Sequence, residues 1–344
     1  MILLDFSKEF SFLEIEEISS NENWKNEIYS FIKNWFSESE FIISKTSGST
    51  GIPKEIKIPK TAMKMSAEMT GKFFGLNQGN TALLCMPVSF IAGKMMIVRA
   101  LELKLKLYCV EPKSKINLDF TDKIDFVPMT PMQVENSFDQ LPKIKILLIG
   151  GAPLSDEFRN KLLPLKTQNF ESYGMTETIT HIALKKISEE FFTTLNGISI
   201  RKDERDCLVI QTPYFEEEIT TNDIVEIKAE HQFKWLGRFD NVINSGGIKL
   251  FPEQIESKLK SFIKDELIIS SLPDSTLGQK LILIIEDRNN SKFKIDKKSN
   301  LIFQNSKLDK YEVPKETYFL NEFPRTESGK IKRNEILDLI KKEN

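Results

Sequence analysis

Between residues 81 and 150 short apolar runs alternate with helical patterns, and this rhythm constrains the fold more than any other feature of the chain. Ala82 to Met86, Leu105 to Val110, Asp125 to Pro128 and Lys145 to Ile149 read as strands, whereas the stretch near Ala92 to Leu103 and the residues after Pro131 read as helices. Strands separated by helices pair in parallel across the helix, so the pattern predicts a largely parallel α/β sheet. Ligands of such sheets sit beyond the carboxyl ends of the strands. Gly150-Gly151-Ala152 follows the last of these strands directly, and Ser155, with Asp156 and Glu157 behind it, is placed to cap the next helix.

Around this centre, Trp24, Ile28, Phe31, Ile32 and Trp35 fall at helical spacing, and a second helix is expected from Thr61 to Phe74, ended by Gly75 to Gly79. From Ile198 to Trp235 the pattern changes to short strands alone, which predicts a small antiparallel, barrel-like unit. Pro252 to Phe262 then reads as a helix and Gln279 to Glu286 as a strand, followed by a charged linker over residues 287–300. The expectation is therefore α/β in two domains: a core over residues 1–239 and a small α+β lid over 240–344. The charged runs Arg201 to Asp206 and Glu216 to Glu218, together with Lys249, Lys332, Arg333 and Lys341-Lys342, read as solvated.

A net charge of −2 carries no excess of positive charge toward nucleic acid or a membrane surface. The three cysteines, Cys85, Cys109 and Cys207, each lie inside an apolar run, which argues against a disulfide framework and a zinc site and for a reducing compartment. The N-terminus lacks a basic region before a long apolar one, and no run approaches the roughly 18 apolar residues of a membrane span. A cytoplasmic location is expected.

Three stretches carry chemistry. In Thr46-Ser47-Gly48-Ser49-Thr50-Gly51-Ile52-Pro53-Lys54 six small residues precede a lysine, between strand-like runs at Glu40 to Ser44 and Lys54 to Ile58. Backbone N–H groups and hydroxyls without bulk can close on a polyphosphate, although the same composition serves a plain turn between strands equally well. Ser172-Tyr173-Gly174-Met175-Thr176-Glu177-Thr178 offers an aromatic face for a base and a carboxylate for Mg²⁺. His181 follows shortly and reads as a partly buried polar neighbour. Arg99 is the third signal, because the chain has 8 Arg among 48 basic residues and this one lies in an apolar helix. A core guanidinium needs a partner, either a ligand carboxylate or an acidic neighbour of the protein.

With Gly237-Arg238-Phe239-Asp240 and Ser245-Gly246-Gly247 added, and Pro324-Arg325-Thr326-Glu327-Ser328-Gly329-Lys330 near the end, the chain resembles the adenylate-forming superfamily of acyl-CoA synthetases, adenylation domains and luciferases. The four signatures occur in the family's order. Within that superfamily the likeness is greatest to short-form o-succinylbenzoate-CoA ligases of menaquinone biosynthesis. Three departures stand out: only 45 residues precede the phosphate loop, Ser89-Phe90 replaces an aromatic-His pair, and Thr221-Asn222-Asp223 replaces Thr-Gly-Asp.

The resemblance implies ATP, Mg²⁺ and coenzyme A as small-molecule partners of a carboxylic acid, with no nucleic acid or membrane. It implies that Thr46 to Gly51 and Lys54 hold phosphates and that Thr176 and Glu177 act at the reacting phosphate, with Glu177 on the metal. Lys330 would bridge the carboxylate and the α-phosphate, Asp223 and Arg238 would take the ribose, and Tyr173, Gly174 and the Gly150-Gly151-Ala152 segment would meet the adenine. Asp240 would be the hinge and Gly246-Gly247 the coenzyme passage. An o-succinylbenzoate-like acid has a second carboxylate, for which Arg99 is the proposed countercharge. Other aryl- or acyl-CoA ligases, enzymes that load a carrier protein, and silent ligand-binding relatives share these motifs.

Overall fold

The computed structural model describes residues 1–9, 16, 22–45, 55–288, 302–303, 305–306, 308–326 and 331–343. The Thr46 to Lys54 loop, Lys330 and most of the linker over 287–300 lie outside the described residues.

The first strand, β1 (Ile2–Asp5), is followed by α1 (Asn23–Trp35), which buries Ile28, Phe31, Ile32 and Trp35 as the spacing requires. Strands β2 (Phe41–Lys45) and β3 (Glu55–Pro59) pair antiparallel from Phe41↔Pro59 to Lys45↔Glu55, so the expected hairpin flanks the Ser/Thr/Gly stretch. Helix α2 (Lys60–Phe74) stops at Gly75, whose φ of +64° is the left-handed cap that glycine reaches without steric cost. The alternating region follows as β4 (Thr81–Leu84), α3 (Ile91–Glu102), β5 (Lys106–Cys109), β6 (Ile124–Met129), α4 (Pro131–Asn136), β7 (Ile144–Ile149), α5 (Asp156–Leu162) and β8 (Gln168–Gly174). Thr130 and Gln133 form a reciprocal capping box at α4, and Ser155 accepts from Phe158 N–H at 3.2 Å at the start of α5.

Strands β5, β4, β6, β7 and β8 lie side by side in parallel. Both faces are buried: Ala82 and Leu84 belong to the apolar cluster shared with α2 and α3, whereas Leu83 and Cys85 belong to the cluster that includes Val134 and Phe158. The chain continues as β9 (His181–Lys186), β10 (Phe192–Thr194), β11 (Ser199–Lys202), β12 (Cys207–Gln211), β13 (Ile219–Ala229) and β14 (Gln232–Arg238). These strands pair antiparallel in the order β9-β10-β14-β13-β12-β11, and β9 pairs β8, so the small antiparallel unit is joined edge to edge with the parallel half. All three cysteines are free and buried.

A single turn of 3-10 helix, Phe239–Asn241, leads to a second sheet. It contains β15 (Ile243–Ser245), β16 (Ile248–Leu250), then, after α6 (Pro252–Lys260), β17 (Leu267–Asp274), β18 (Gly278–Glu286) and β19 (Glu316–Leu320), with α7 (Arg333–Glu343) last. Leu281, Leu283 and Ile285 join Ile255 and Leu259 of α6, while Ile282 and Ile284 join Ile336 and Ile340 of α7, so the sheet is sandwiched. Helix α6 also returns to the first sheet, where Gln254 Nε2 donates to the carbonyls of Trp235 and Leu236 at 3.2 and 3.0 Å.

One expectation is corrected. Arg333 is not solvated: its guanidinium forks onto both oxygens of buried Glu256 at 2.7 and 2.6 Å, and Ile269 N–H donates to the same carboxylate at 2.7 Å. The partner comes from α6, far away in sequence, which is why the polar neighbours of Arg333 misled.

Candidate active site

Strands β7 and β8 pair in register Ile149↔Glu171, so the turns that follow them emerge together at the carboxyl edge of the parallel half. Gly150 comes off β7 against Ser172: a Cβ there would stand 2.5 Å from Ser172 Oγ, and that hydroxyl donates to Ile149 O at 3.1 Å. Gly151 adopts φ +93°, and Gly151 and Ala152 are exposed at the rim.

Residues 175–180 connect β8 to β9 as a tight turn that presents Thr176 and an exposed Glu177. At Gly174 a Cβ would stand 2.3 Å from Thr180 O, so the close backbone approach excludes a side chain. Met175 N–H donates to Thr178 Oγ1 at 2.9 Å, and Tyr214 Oη donates to Thr178 O at 3.0 Å. Ile179 is held at φ +67°, a costly conformation for a β-branched residue, and is fully buried. The turn is thus fixed by its surroundings.

Tyr173 Oη donates to Asp223 Oδ2 at 2.6 Å. Asp223 is buried on β13 directly opposite Arg238 of β14, whose Nη1 lies 3.6 Å from Asp223 Oδ1 and whose Nη2 lies 3.6 Å from Asp240 Oδ2. Burial, with the charge of Asp223, pushes the Tyr173 phenol well above its usual range, which keeps it a donor. Asn222, where the family pattern has glycine, uses its side chain: Nδ2 donates to Asp240 Oδ2 at 3.3 Å and Oδ1 accepts from Arg205 at 3.0 Å. Tyr173, Asp223, Arg238 and Asp240 therefore form one connected group. Gly246 and Gly247, at φ +59° and +81°, form the two-residue turn of the β15–β16 hairpin in the second sheet.

Arg99 lies beneath the Met175 to Thr180 turn, only 2% exposed, with Nη2 donating to Thr180 Oγ1 at 2.5 Å and Nε to Thr70 Oγ1 at 3.4 Å. Among the described residues it forms no ion pair with a carboxylate, so the expected alternative of an internal salt bridge is not met there. Burial pulls its pKa down to about 10. His181 lies between the same hydroxyls, Nε2 3.2 Å from Thr70 Oγ1 and Nδ1 3.2 Å from Thr180 Oγ1. Burial, and then the charge of Arg99, hold the imidazole well below its usual range. Thr70, Thr180 and Tyr214 carried no local sequence signal, since each acts on a residue brought near only by the sheet.

Among the described residues there is no group of three or more His, Cys, Asp or Glu able to hold a metal alone. A lone exposed carboxylate such as Glu177 suits Mg²⁺, which keeps waters and takes most remaining oxygens from substrate phosphates.

Residues 8–204 match the family model described as AMP-binding enzyme. Curated relatives named 2-succinylbenzoate--CoA ligase include one from Bacillus cereus, 24% identical over 339 residues that span 86% of this chain and 69% of that protein. A solved acyl-CoA synthetase (AMP-forming)/AMP-acid ligase II-like protein from Dyadobacter fermentans is 34% identical with a TM-score of 0.62, covering 96% of this chain and 98% of that one. The o-succinylbenzoate coenzyme A synthetase of Bacillus subtilis, solved with ATP and magnesium ion, shares the fold at a TM-score of 0.71 and 18% identity, over 86% and 69% of the two chains.

Proposed function

The chain belongs to the AMP-binding enzyme family, as an adenylate-forming acid–thiol ligase, and on that premise we propose that it converts o-succinylbenzoate to its coenzyme A thioester. In the first step a substrate carboxylate attacks the α-phosphorus of ATP and pyrophosphate leaves. Two anions must meet, so positive charge has to be supplied. Lys330 fills that role between carboxylate and α-phosphate, and Thr46, Ser47, Gly48, Ser49, Thr50, Gly51 and Lys54 take the departing phosphates. Glu177 and Thr176 sit at the reacting phosphate, and Mg²⁺ bound through Glu177 would screen its charge.

The observation that carries this reading is the Tyr173–Asp223–Arg238 group at the carboxyl edge of β8, beside the Gly150-Gly151-Ala152 turn. A buried carboxylate with a neighbouring guanidinium suits the two ribose hydroxyls of AMP, and the small residues at 150–152 suit a flat base. In the second step the coenzyme thiol attacks the acyl carbonyl and AMP leaves. Residues 240–344 then turn about Asp240 to withdraw Lys330, and Gly246-Gly247 lines the pantetheine passage.

The acid is the finer part of the proposal. Arg99 supports a dicarboxylate, because a buried guanidinium held only by hydroxyls among the described residues retains an unmet attraction for an anion. The names of the curated relatives agree with it. Pyrophosphate release is to be measured against a panel of mono- and dicarboxylic acids, with and without coenzyme A. Release that depends on o-succinylbenzoate, with thioester formed only when coenzyme A is present, is expected. Preference for a monocarboxylic acid would sink the substrate assignment, and acyl transfer to a carrier protein alone would sink coenzyme A as the acceptor.

A further inference from the structure

The Tyr173 ring is not a free face at the rim. It stands edge-on to Phe233 at 5.0 Å and tilted against Phe192 at 5.9 Å, and those two rings stack on each other at 5.6 Å. Its orientation is thereby set by packing from β10 and β14, and its hydroxyl is committed to a carboxylate fifty positions away in sequence. Asp223 is held from three sides. Tyr173 Oη reaches Oδ2 at 2.6 Å, Arg238 Nη1 approaches Oδ1 at 3.6 Å, and the Asp223 N–H donates to Thr221 Oγ1 at 3.1 Å. A carboxylate offers about four lone-pair directions, two on each oxygen. Tyrosine takes one on Oδ2, while Arg238, at 3.6 Å, lends its charge on the Oδ1 side without a hydrogen bond, which leaves each oxygen open to an incoming donor.

We propose that Tyr173 is a positioning residue: its hydroxyl fixes the rotation of the Asp223 carboxylate so that an open lone pair on each oxygen meets the vicinal hydroxyls of the nucleotide ribose. The inference rests on the reading of Asp223 as the ribose acceptor. It differs from a stacking role for Tyr173, because a stacked ring needs no hydroxyl, whereas an oriented carboxylate does. Specificity for a ribonucleotide over a deoxyribonucleotide then depends on a tyrosine that touches neither sugar hydroxyl.

Tyr173→Phe keeps the ring, its packing against Phe192 and Phe233 and any stacking on the base, and removes only the donor. ATP and 2′-deoxy-ATP are compared by kcat/KM in acid-dependent pyrophosphate release, in wild type, Tyr173→Phe, Asp223→Asn and the double variant. The ratio of the two nucleotides is internal to each protein, so a reduced folded fraction cancels. Tyr173→Phe is expected to raise the KM for ATP about tenfold, the scale of one hydrogen bond to a charged group, and to lower the ATP preference toward that of Asp223→Asn. The double variant should show no further loss of preference. A wild type that prefers ATP, beside a Tyr173→Phe variant with the same preference, would overturn the positioning role and leave the ribose reading intact. A wild type without the preference would overturn the ribose reading and this inference with it.

Discussion

Nη2 of Arg99 lies 2.5 Å from Oγ1 of Thr180, which joins a helix of the parallel half to the turn that presents Glu177. The guanidinium is thus a neighbour of the candidate site's edge while remaining buried. Its charge is stabilised by hydroxyl dipoles, a weaker partner than a carboxylate.

If that unmet attraction serves the second carboxylate of the substrate, Arg99→Ala should weaken a dicarboxylic acid by about 2–5 kcal/mol. The KM for ATP and turnover of a monocarboxylic acid should be nearly unchanged. Arg99→Lys, which keeps charge but loses the planar fork, should fall between wild type and alanine. Steady-state kinetics with paired acids of matched ring size reads the difference. Equal losses for both acids would make Arg99 a purely structural residue of the Thr70–Thr180 cluster.

Lys330 gives a prediction about the order of events. Arg325 bridges Ile331, and Lys332 N–H donates to Pro324 O at 2.9 Å, so described residues on both sides of the lysine are held to one another. Lys330→Ala should slow adenylation by about 10²–10³, the range for one preorganised donor, and largely spare thioester formation from a supplied acyl-adenylate. Equal loss in both half-reactions would remove the need for any movement about Asp240.

What the sequence makes legible follows the range of the interaction. Helix and strand identities came through because apolar spacing is local: α1 buries the residues its period names, and Gly75 and Ser155 end and begin helices through contacts within one turn. The glycines at 150 and 174 stood out as parts of the turns that follow two strands, although the atoms that demand them, Ser172 Oγ and Thr180 O, are set by the sheet. Pairings across the fold were not legible. Thr70 and His181 are 111 positions apart and Tyr173 and Asp223 are 50, with no periodicity to connect them. Asn222 was visible as a departure from the family pattern, but its use, a bond to Asp240, needed the β13–β14 register.

His181 makes stability depend on pH with a definite sign. Its neighbours Thr70, Thr180 and Arg99 bring no negative charge to stabilise an imidazolium, and burial, then the Arg99 charge, depresses its folded pKa. The unfolded chain therefore binds a proton at about pH 6.5 that the folded chain refuses. Stability is full above that value and falls as pH drops below it, with a slope approaching about 1.4 kcal/mol per pH unit for one proton. Denaturant titrations between pH 7.5 and 5 should show this slope reduced in His181→Gln. An identical slope in both proteins would assign the effect to other groups.

The last prediction concerns the fork between Glu256 and Arg333. Glu256 is 7% exposed on α6, and its carboxylate receives two bonds from Arg333, at the start of α7, and one from Ile269 of β17. The pair ties both helices to the second sheet from opposite faces. A buried ion pair is a weak source of net stability, because both charges lose water on burial, but breaking it on one side is costly. Arg333→Met should therefore destabilise the second sheet by about 3–5 kcal/mol, since a buried carboxylate keeps only one N–H donor. Adding Glu256→Met should recover most of that loss, because the two apolar side chains remove the uncompensated charge. The pH dependence supplies an independent check. Burial raises the Glu256 carboxyl while Arg333 lowers it, so removing the arginine leaves burial to favour the protonated form in the folded state. The folded variant then binds a proton that the unfolded chain releases above the ordinary glutamate range, and its stability should decline as pH rises from there. The double variant, with no carboxyl at this position, should lack that decline. Calorimetric unfolding at several pH values measures both effects, and a double variant no more stable than Arg333→Met would mean that packing around the fork, rather than its charge, holds the two helices in place.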